Sequence, residues 1–276
     1  MIRLFRDKDP GSPDIRACPV CGQSGARPIG RIKTNVLVSL ERGEYDLAQC
    51  QACELIYISP QPSACDLRRM YVETTQFDNP VYTDPARVTG IMEYMSACLA
   101  RILQRTSRTA NGVVSVLEVG AGLAWMCRAA KSLSPKNFTV AQDISPEAAE
   151  RCPWVDLYLL KDIFDASLEQ RAPYHVISLT HVIEHLVDPI AVIRRCKSLL
   201  RADGVIFTTA PHRPIGWRKN SQGVSLWESY SYNHVPAHIQ YFSKKSMRAL
   251  ARKAGCTLDY WSHAHEQGQA FEAWLR

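Results

Sequence analysis

Apolar residues recur in the second half of the chain as short β-branched runs alternating with stretches of helical spacing. Val113–Val119 is such a run, and it meets Gly120-Ala121-Gly122 before a helix-like Leu123–Lys131. Phe138–Ile144, Val155–Leu160, Tyr174–Leu179 and Val205–Ala210 repeat the strand pattern. Between them Pro146–Arg151, with Ser145 as its cap, and Ile190–Leu200 read as helices, the second closed by the turn Arg201-Ala202-Asp203-Gly204. Ser243–Ala254 predicts another helix ending at Gly255, and Cys256–Trp261 and Ala270–Trp274 two antiparallel edge strands. Such alternation predicts an α/β domain built on a mostly parallel sheet with helices on both faces.

Upstream the rhythm differs. Ser63–Tyr71 predicts a short helix capped by Ser63, and Ala86–Thr106 a long amphipathic one (Val88, Ile91, Met92, Met95, Leu99, Ile102, Leu103). The polar, turn-rich stretch from Thr74 to Pro85 between them carries Phe77 and Tyr82. Cys18-Pro19-Val20-Cys21 and Cys50-Gln51-Ala52-Cys53 are two C-x-x-C knuckles separated by a 28-residue loop. That spacing lets Cys18, Cys21, Cys50 and Cys53 turn four thiolates toward one tetrahedral ion, a closed structural zinc shell. Disulfides or a redox pair are the alternatives, disfavoured without a secretory leader or a thioredoxin-like βαβ context. Val36–Leu40 and Tyr45–Gln49 are expected as hairpin strands of a zinc ribbon, with Ile56–Ser59 as its exit strand. The predicted organisation is a ribbon over 1–62, a helical segment over 63–108 and an α/β domain over 109–276 with an insert at about 211–243.

Composition narrows the classes. No apolar run approaches the roughly 20 residues of a membrane span, and Met1–Pro10 lacks the apolar core of a signal peptide, so a soluble cytoplasmic protein is expected. The remaining cysteines (Cys65, Cys98, Cys127, Cys152, Cys196, Cys256) read as reduced thiols. Net charge is +6, and Pro211–Ala254 alone carries +7, with eight Lys/Arg against Glu228. The first sixty residues hold eight basic and seven acidic side chains, which is no basic patch. An anionic partner would therefore meet the C-terminal third.

A strand running into a glycine turn at a helix start is a nucleotide-binding device, because glycine lets a ligand approach the main chain. Asp143 ends the next strand, where a carboxylate suits the two hydroxyls of a ribose. The full Gly-x-Gly-x-x-Gly of a pyrophosphate cradle is absent, and Glu118 before the turn repels phosphate. A positively charged, phosphate-free nucleoside such as S-adenosylmethionine fits better.

The series Leu117-Glu118-Val119-Gly120-Ala121-Gly122, Asp143, Asp162 and His181-Val182-Ile183-Glu184-His185-Leu186-Val187-Asp188-Pro189 resembles the class I S-adenosylmethionine-dependent methyltransferases. So do Leu199–Gly204 before a strand and His238–Ser243 before a helix, over about residues 110–261. A preceding four-cysteine ribbon is similar to bacterial methyltransferases acting on small molecules, glycans and nucleotide-linked sugars. The resemblance implies a Rossmann-like sheet. It also implies that Glu118, Gly120 and Gly122 surround the methionine half of the cofactor and that Asp143, with Ile144 beside it, binds the ribose. Asp162 and Ile163 would meet the adenine, while Thr180 and His181 line the transfer site. Ala124 departs from the pattern, since many members carry a third glycine there.

Methyl transfer needs an aligned acceptor and often a base. His238 is the first candidate base, with His234 and His181 behind it, whereas His185 with Glu184 is expected to order its loop. His175, His263 and His265 are expected to be structural. Trp217, Trp227, Tyr230, Tyr232, Tyr241 and Phe242, beside Arg213, Arg218 and Lys219, suit a flat or sugar-like anionic acceptor, or else pack as an ordinary lid. Motifs for exocyclic-amine methylation of DNA bases and a Pro-Cys nucleophile are absent, since Pro211 is followed by His212. The expectation is methyl transfer to a small metabolite, natural-product intermediate or nucleotide-linked sugar, with no nucleic-acid or membrane partner. The rivals are an RNA methyltransferase gripping through the ribbon and the basic insert, and a non-enzymatic binding subunit of the same fold.

Overall fold

The computed structural model describes residues 15–34, 38–72, 77, 79–106, 112–214, 227, 230–263 and 269–276. Val36, Leu37, Trp217, Arg218, Lys219, Glu228, His265 and the first ten residues, all weighed above, lie outside them. The chain divides into two compact units: the described parts of 1–74, 183–191 and 209–273, and those of 75–182, 192–208 and 274–276.

The second unit carries the parallel sheet. Its strands are β4 (Ser115–Val119), β5 (Phe138–Asp143), β6 (Leu157–Leu160), β7 (Tyr174–Thr180) and most of β8 (Leu200–Pro211), in the order β8-β7-β4-β5-β6. β4 pairs in parallel with both β5 and β7, and β5 with β6. The chain moves outward from β4 through β5 to β6 and then returns to β7 on the other side of β4. That reversal is the switch point at which open α/β sheets bind ligands, at the carboxyl ends of their strands. Val116, Leu117, Val140, Ala141, Val176, Ile177, Val205 and Ile206 are fully buried. Such near-continuous apolar strands are what a sheet covered on both faces demands.

Helices fill the connections. α3 (Pro85–Leu103) starts at Asp84, whose side chain accepts a hydrogen bond from Arg87 N, with Pro85 in the first turn. It buries Met95, Cys98, Leu99, Ile102 and Leu103, an i, i+3, i+4, i+7, i+8 stripe that keeps four of the predicted positions and adds Cys98, while Val88, Ile91 and Met92 are only half-buried. α4 (Trp125–Leu133), α5 (Pro146–Glu150) and α6 (Pro189–Leu199) follow β4, β5 and β7. Two expectations fail here. Ser145 makes no side-chain cap; its N–H instead donates to Asp143 Oδ1 at 2.9 Å. Arg201–Gly204 is strand rather than turn, because β8 begins at Leu200. Gly204 permits this course: a Cβ there would lie 2.8 Å from Leu200 Cγ and 3.0 Å from the His175 carbonyl. A 3-10 turn at Ala166–Arg171, capped by Asp165, had no clear signature in the pattern.

The first unit holds a four-stranded sheet in the order β1-β2-β3-β9: β1 (Arg27–Lys33), β2 (Glu44–Gln49), β3 (Ile56–Ser59) and β9 (Gln240–Tyr241). All its pairings are antiparallel. The hairpin partner of β2 is therefore Arg27–Lys33 and not Val36–Leu40, of which the described residues Val38–Leu40 are not strand. Pro28 and Gly30 disguise β1, and the register shifts between them, yet Ile29 and Ile32 turn inward. α1 (Ala64–Val72) starts where expected, with Ser63 Oγ accepting from Asp66 N at 3.0 Å. Strands β10 (Leu258–Ser262) and β11 (Ala270–Leu275) continue the order from the end of β8 as β8-β11-β10. The helix α7 (Lys244–Lys253) opens on a reciprocal cap between Ser243 and Ser246; α2 is the single turn Pro80–Thr83 of the second unit.

Candidate active site and cysteine cluster

Gly120 and Gly122 follow β4 at φ +58° and +48°, left-handed values that glycine adopts without steric cost. A Cβ on Gly120 would lie 2.7 Å from Val182 Cγ2, and one on Gly122 3.2 Å from the Phe77 ring. The turn is pinned by its surroundings. Ala121 N donates to the Gln142 carbonyl at 3.0 Å, and Tyr158 Oη to the Gly122 carbonyl at 2.8 Å. Trp154 Nε1 donates to the Ala124 carbonyl at 3.3 Å. Ala124 itself sits at φ +51°, ψ +51° as the residue preceding α4. Its departure from glycine is therefore a matter of backbone conformation, costing on the order of 1 kcal/mol, rather than of helix spacing.

Asp143 closes β5 with both carboxylate oxygens engaged by the backbone: Oδ2 accepts from Gly122 N at 2.8 Å and Oδ1 from Ser145 N at 2.9 Å. Each oxygen retains a second lone pair. The carboxylate is thereby fixed at the carboxyl edge beside the glycine turn. Ile144, Leu160 and Phe164 follow at the ends of β5 and β6, 61%, 46% and 54% exposed. Asp162 Oδ1 accepts from Phe164 N at 2.9 Å, and Ile163 is buried. Ile144, Leu160 and Phe164 are thus exposed apolar side chains close in sequence to two acids, Asp143 and Asp162.

Glu118 lies deeper than the other acids. It is buried, and its Oε2 accepts from Cys127 N at 3.0 Å. Ala124 offers α4 no side-chain cap, so the strand glutamate serves the helix's free N–H groups in its place. Burial pushes its carboxyl up to about 7 against the pull of the Cys127 and Met126 N–H groups. Thr180 ends β7 with its hydroxyl 3.0 Å from that of Ser178, and His181 follows, exposed, at φ +53°. Sequence reasoning missed Phe77 over Gly122 and the brace Gln142, whose Oε1 is 3.4 Å from Gly120 N. Phe77 offered only one of two aromatics in a polar, turn-rich stretch.

In the first unit the four sulfurs of Cys18, Cys21, Cys50 and Cys53 lie within 4.8 Å of one another, with 3.5 Å between Cys18 and Cys53 and 3.4 Å between Cys21 and Cys50. A tetrahedral zinc with bonds of about 2.3 Å requires sulfurs about 3.8 Å apart, so the cluster fits such an ion. Each knuckle turns on a left-handed residue after its second cysteine, Gly22 at φ +78° and Glu54 at φ +67°. Glu54 Oε2 lies 3.6 Å from Arg213, and Oε1 lies 3.7 Å from Lys245. Two cations of the basic stretch are thus spent on the ribbon.

Among the described residues, the aromatics Trp227, Tyr230 and Tyr241 of the insert are interior rather than wall. Trp227, Tyr230, Val235, Ile239 and Tyr241 pack with Ile29, Ile32, Tyr45, Leu47, Ile56 and Ile58 in one core. His238 is buried beside it, its Nδ1 2.8 Å from the Tyr232 carbonyl, and burial and the nearby His185 push its imidazole down to about 3. The rings of His185 and His238 are 4.8 Å apart, and those of His234 and His238 5.1 Å, with His234 exposed. His175 is buried and accepts from Ser115 N at 3.0 Å. His263 packs its ring against His212.

Comparison with known proteins decides the family, because the model of the methyltransferase domain matches residues 91–260. The chain belongs to that family. Among curated relatives, the ubiquinone biosynthesis O-methyltransferase of Xanthomonas campestris pv. campestris (strain B100) is 30% identical over 115 residues, 39% of this chain and 47% of the relative. That of Actinobacillus pleuropneumoniae serotype 7 is 29% identical over 153 residues, 51% of this chain and 64% of the relative. The chain thus spans about half the length of the first of these relatives. Among solved structures, a chain from the complex of the Haloferax volcanii Trm112 methyltransferase activator with a methyltransferase superposes with a TM-score of 0.52. It is 12% identical, and the match covers 73% of this chain and 98% of that one. The CMeT domain of a citrinin polyketide synthase gives 0.51 at 14% identity, covering 76% and 58%. Both share the fold of this methyltransferase domain, the Rossmann-like sheet that the strand pattern and glycine turn led us to expect. Among the described residues, no helix is long and apolar enough to cross a membrane.

Proposed function

We propose that this chain transfers a methyl group from S-adenosylmethionine to a small-molecule acceptor, at oxygen. The observation that carries the reading is Asp143, held by Gly122 N and Ser145 N with lone pairs left for two vicinal hydroxyls. Gly120 and Gly122 let the methionine half lie against the main chain, and Glu118 places a carboxyl beneath it. Ile144, Asp162 and Ile163 take the adenine side. Thr180 and the strained His181 line the point of transfer. When bound, the cofactor supplies an activated methyl group on a cationic sulfur, so the chain's work is to position the acceptor and exclude water. The O-methyltransferase names of the curated relatives favour oxygen. The pairing of Arg213 and Lys245 with Glu54 favours a small acceptor over an RNA backbone. A structural zinc in the four-cysteine shell braces the first unit.

Calorimetry with S-adenosylmethionine and S-adenosylhomocysteine tests this. The expected result is binding of both, weakened at least tenfold by Asp143→Ala with unchanged circular dichroism. Failure of the unaltered protein to bind either ligand would overturn the reading. An acceptor screen read by S-adenosylhomocysteine release then separates an enzyme from a binding subunit.

A further inference from the structure

We propose that Glu184, His185 and His238 form a second metal site, which takes a single divalent transition-metal cation through two imidazole nitrogens and one carboxylate. Nothing in it depends on methyl transfer. One ligand atom from each residue lies within 4.8 Å of the others. Hydrogen bonding fixes the tautomer of each ring. His185 Nδ1 is 2.8 Å from the Ala237 carbonyl and His238 Nδ1 2.8 Å from the Tyr232 carbonyl. A carbonyl oxygen only accepts, so both Nδ1 atoms carry the proton and both Nε2 atoms carry the lone pair. Histidines that bind metals are oriented in this way, with the other ring N–H given to a backbone carbonyl. The Glu184 carboxylate is fully buried, with Oε1 4.0 Å from His185 Nε2. Three electron-pair donors therefore converge inside the protein, where a cation balances a buried carboxylate.

The scaffold holds these donors in place. Gln240 Nε2 donates to the Ile183 and Leu186 carbonyls at 2.9 Å each, clasping both ends of the turn that carries Glu184 and His185. Ile239 N donates to the Glu184 carbonyl at 3.0 Å. β9, next to His238, is hydrogen-bonded to β3 of the ribbon sheet. A set of two imidazoles and one carboxylate suits zinc, manganese or iron, whereas calcium and magnesium prefer all-oxygen cages. Three protein ligands leave positions open for water or for an oxygen of a small molecule. This assignment makes His238 a ligand rather than a free base.

Manganese(II) is the probe, because thiolates bind it weakly and the zinc-loaded cysteine shell will not compete for it. The full chain, carrying one equivalent of zinc for its four thiolates, is titrated with Mn2+ and followed by electron paramagnetic resonance. One Mn2+ per chain is expected. His185→Asn and His238→Asn keep a side-chain N–H for the backbone carbonyl but delete Nε2, and each should weaken Mn2+ binding at least tenfold with zinc content and circular dichroism unchanged. Absence of stoichiometric Mn2+ in the unaltered protein, or unchanged affinity in both variants, would overturn the site. Should both variants misfold, nitrogen hyperfine couplings on the bound ion decide: couplings from two imidazoles support the site, and their absence refutes it.

Discussion

Glu118, the last acid of β4, caps a helix to which it does not belong: its Oε2 accepts from Cys127 N, 3.0 Å away in the first turn of α4. Its folded-state carboxyl titrates at about 7, above the ordinary 4.5, because burial opposes charge. In the ligand-free protein the folded chain thus holds a proton that the unfolded chain has released. The stability from this group is fully present below about pH 4.5 and is lost as pH rises through 7. Glu118→Gln should flatten that dependence, changing the pH 5 to pH 8 stability difference by up to about 3 kcal/mol. Denaturant melts of both proteins at the two pH values measure it, and parallel losses would refute the account.

Ala124 stands at φ +51° where glycine would be unstrained. Ala124→Gly is expected to stabilise the protein by about 1 kcal/mol, a rise in Tm of about 2–4 °C. Differential scanning calorimetry would show a lower Tm instead if the methyl group's packing outweighs the backbone strain.

Gly120→Ala combines a left-handed backbone with a Cβ 2.7 Å from Val182 Cγ2. We expect a loss of roughly 2–3 kcal/mol. Adding Val182→Ala should recover the contact but not the backbone cost, giving a favourable coupling of roughly 1 kcal/mol in a double-mutant cycle. Strict additivity would place the whole cost in the backbone.

Removal of the proposed zinc should be visible at a distance. Cys53→Ser leaves three thiolates, and a colorimetric chelator should then extract zinc that the unaltered protein retains. Trp227, 1% exposed in the core beneath the ribbon strands, should shift its fluorescence to longer wavelength. Retained zinc with unchanged emission would dissociate the knuckles from that core.

Features decided by neighbouring residues were legible without coordinates. The β-branched runs of β4, β5, β7 and the core of β8, the stripe of α3 and the two knuckles all announce themselves locally. Asp143 was legible for the same reason, as an acid ending an apolar run. What escaped depends on distant partners. β1 is broken in pattern by Pro28 and Gly30 and exists because β2 pairs with it. The two residues of β9 carry no strand signal of their own. Gln240 is one amide among many until the fold sets it between the Ile183 and Leu186 carbonyls. The insert's aromatics left a binding surface and a packed lid equally open, because composition cannot distinguish a pocket wall from a core.

The pairing of β3 with β9 joins Ile56 to Tyr241 and Tyr57 to Gln240. During synthesis the four cysteines and three strands of the ribbon leave the ribosome long before the strand that covers their edge. Until residue 241 emerges, the buried row Ile56–Ser59 is an open template for any passing chain. Early metal capture at the knuckles would then act as a holding clamp, and a ribbon cut free at residue 62 would be prone to aggregate rather than form an independent domain.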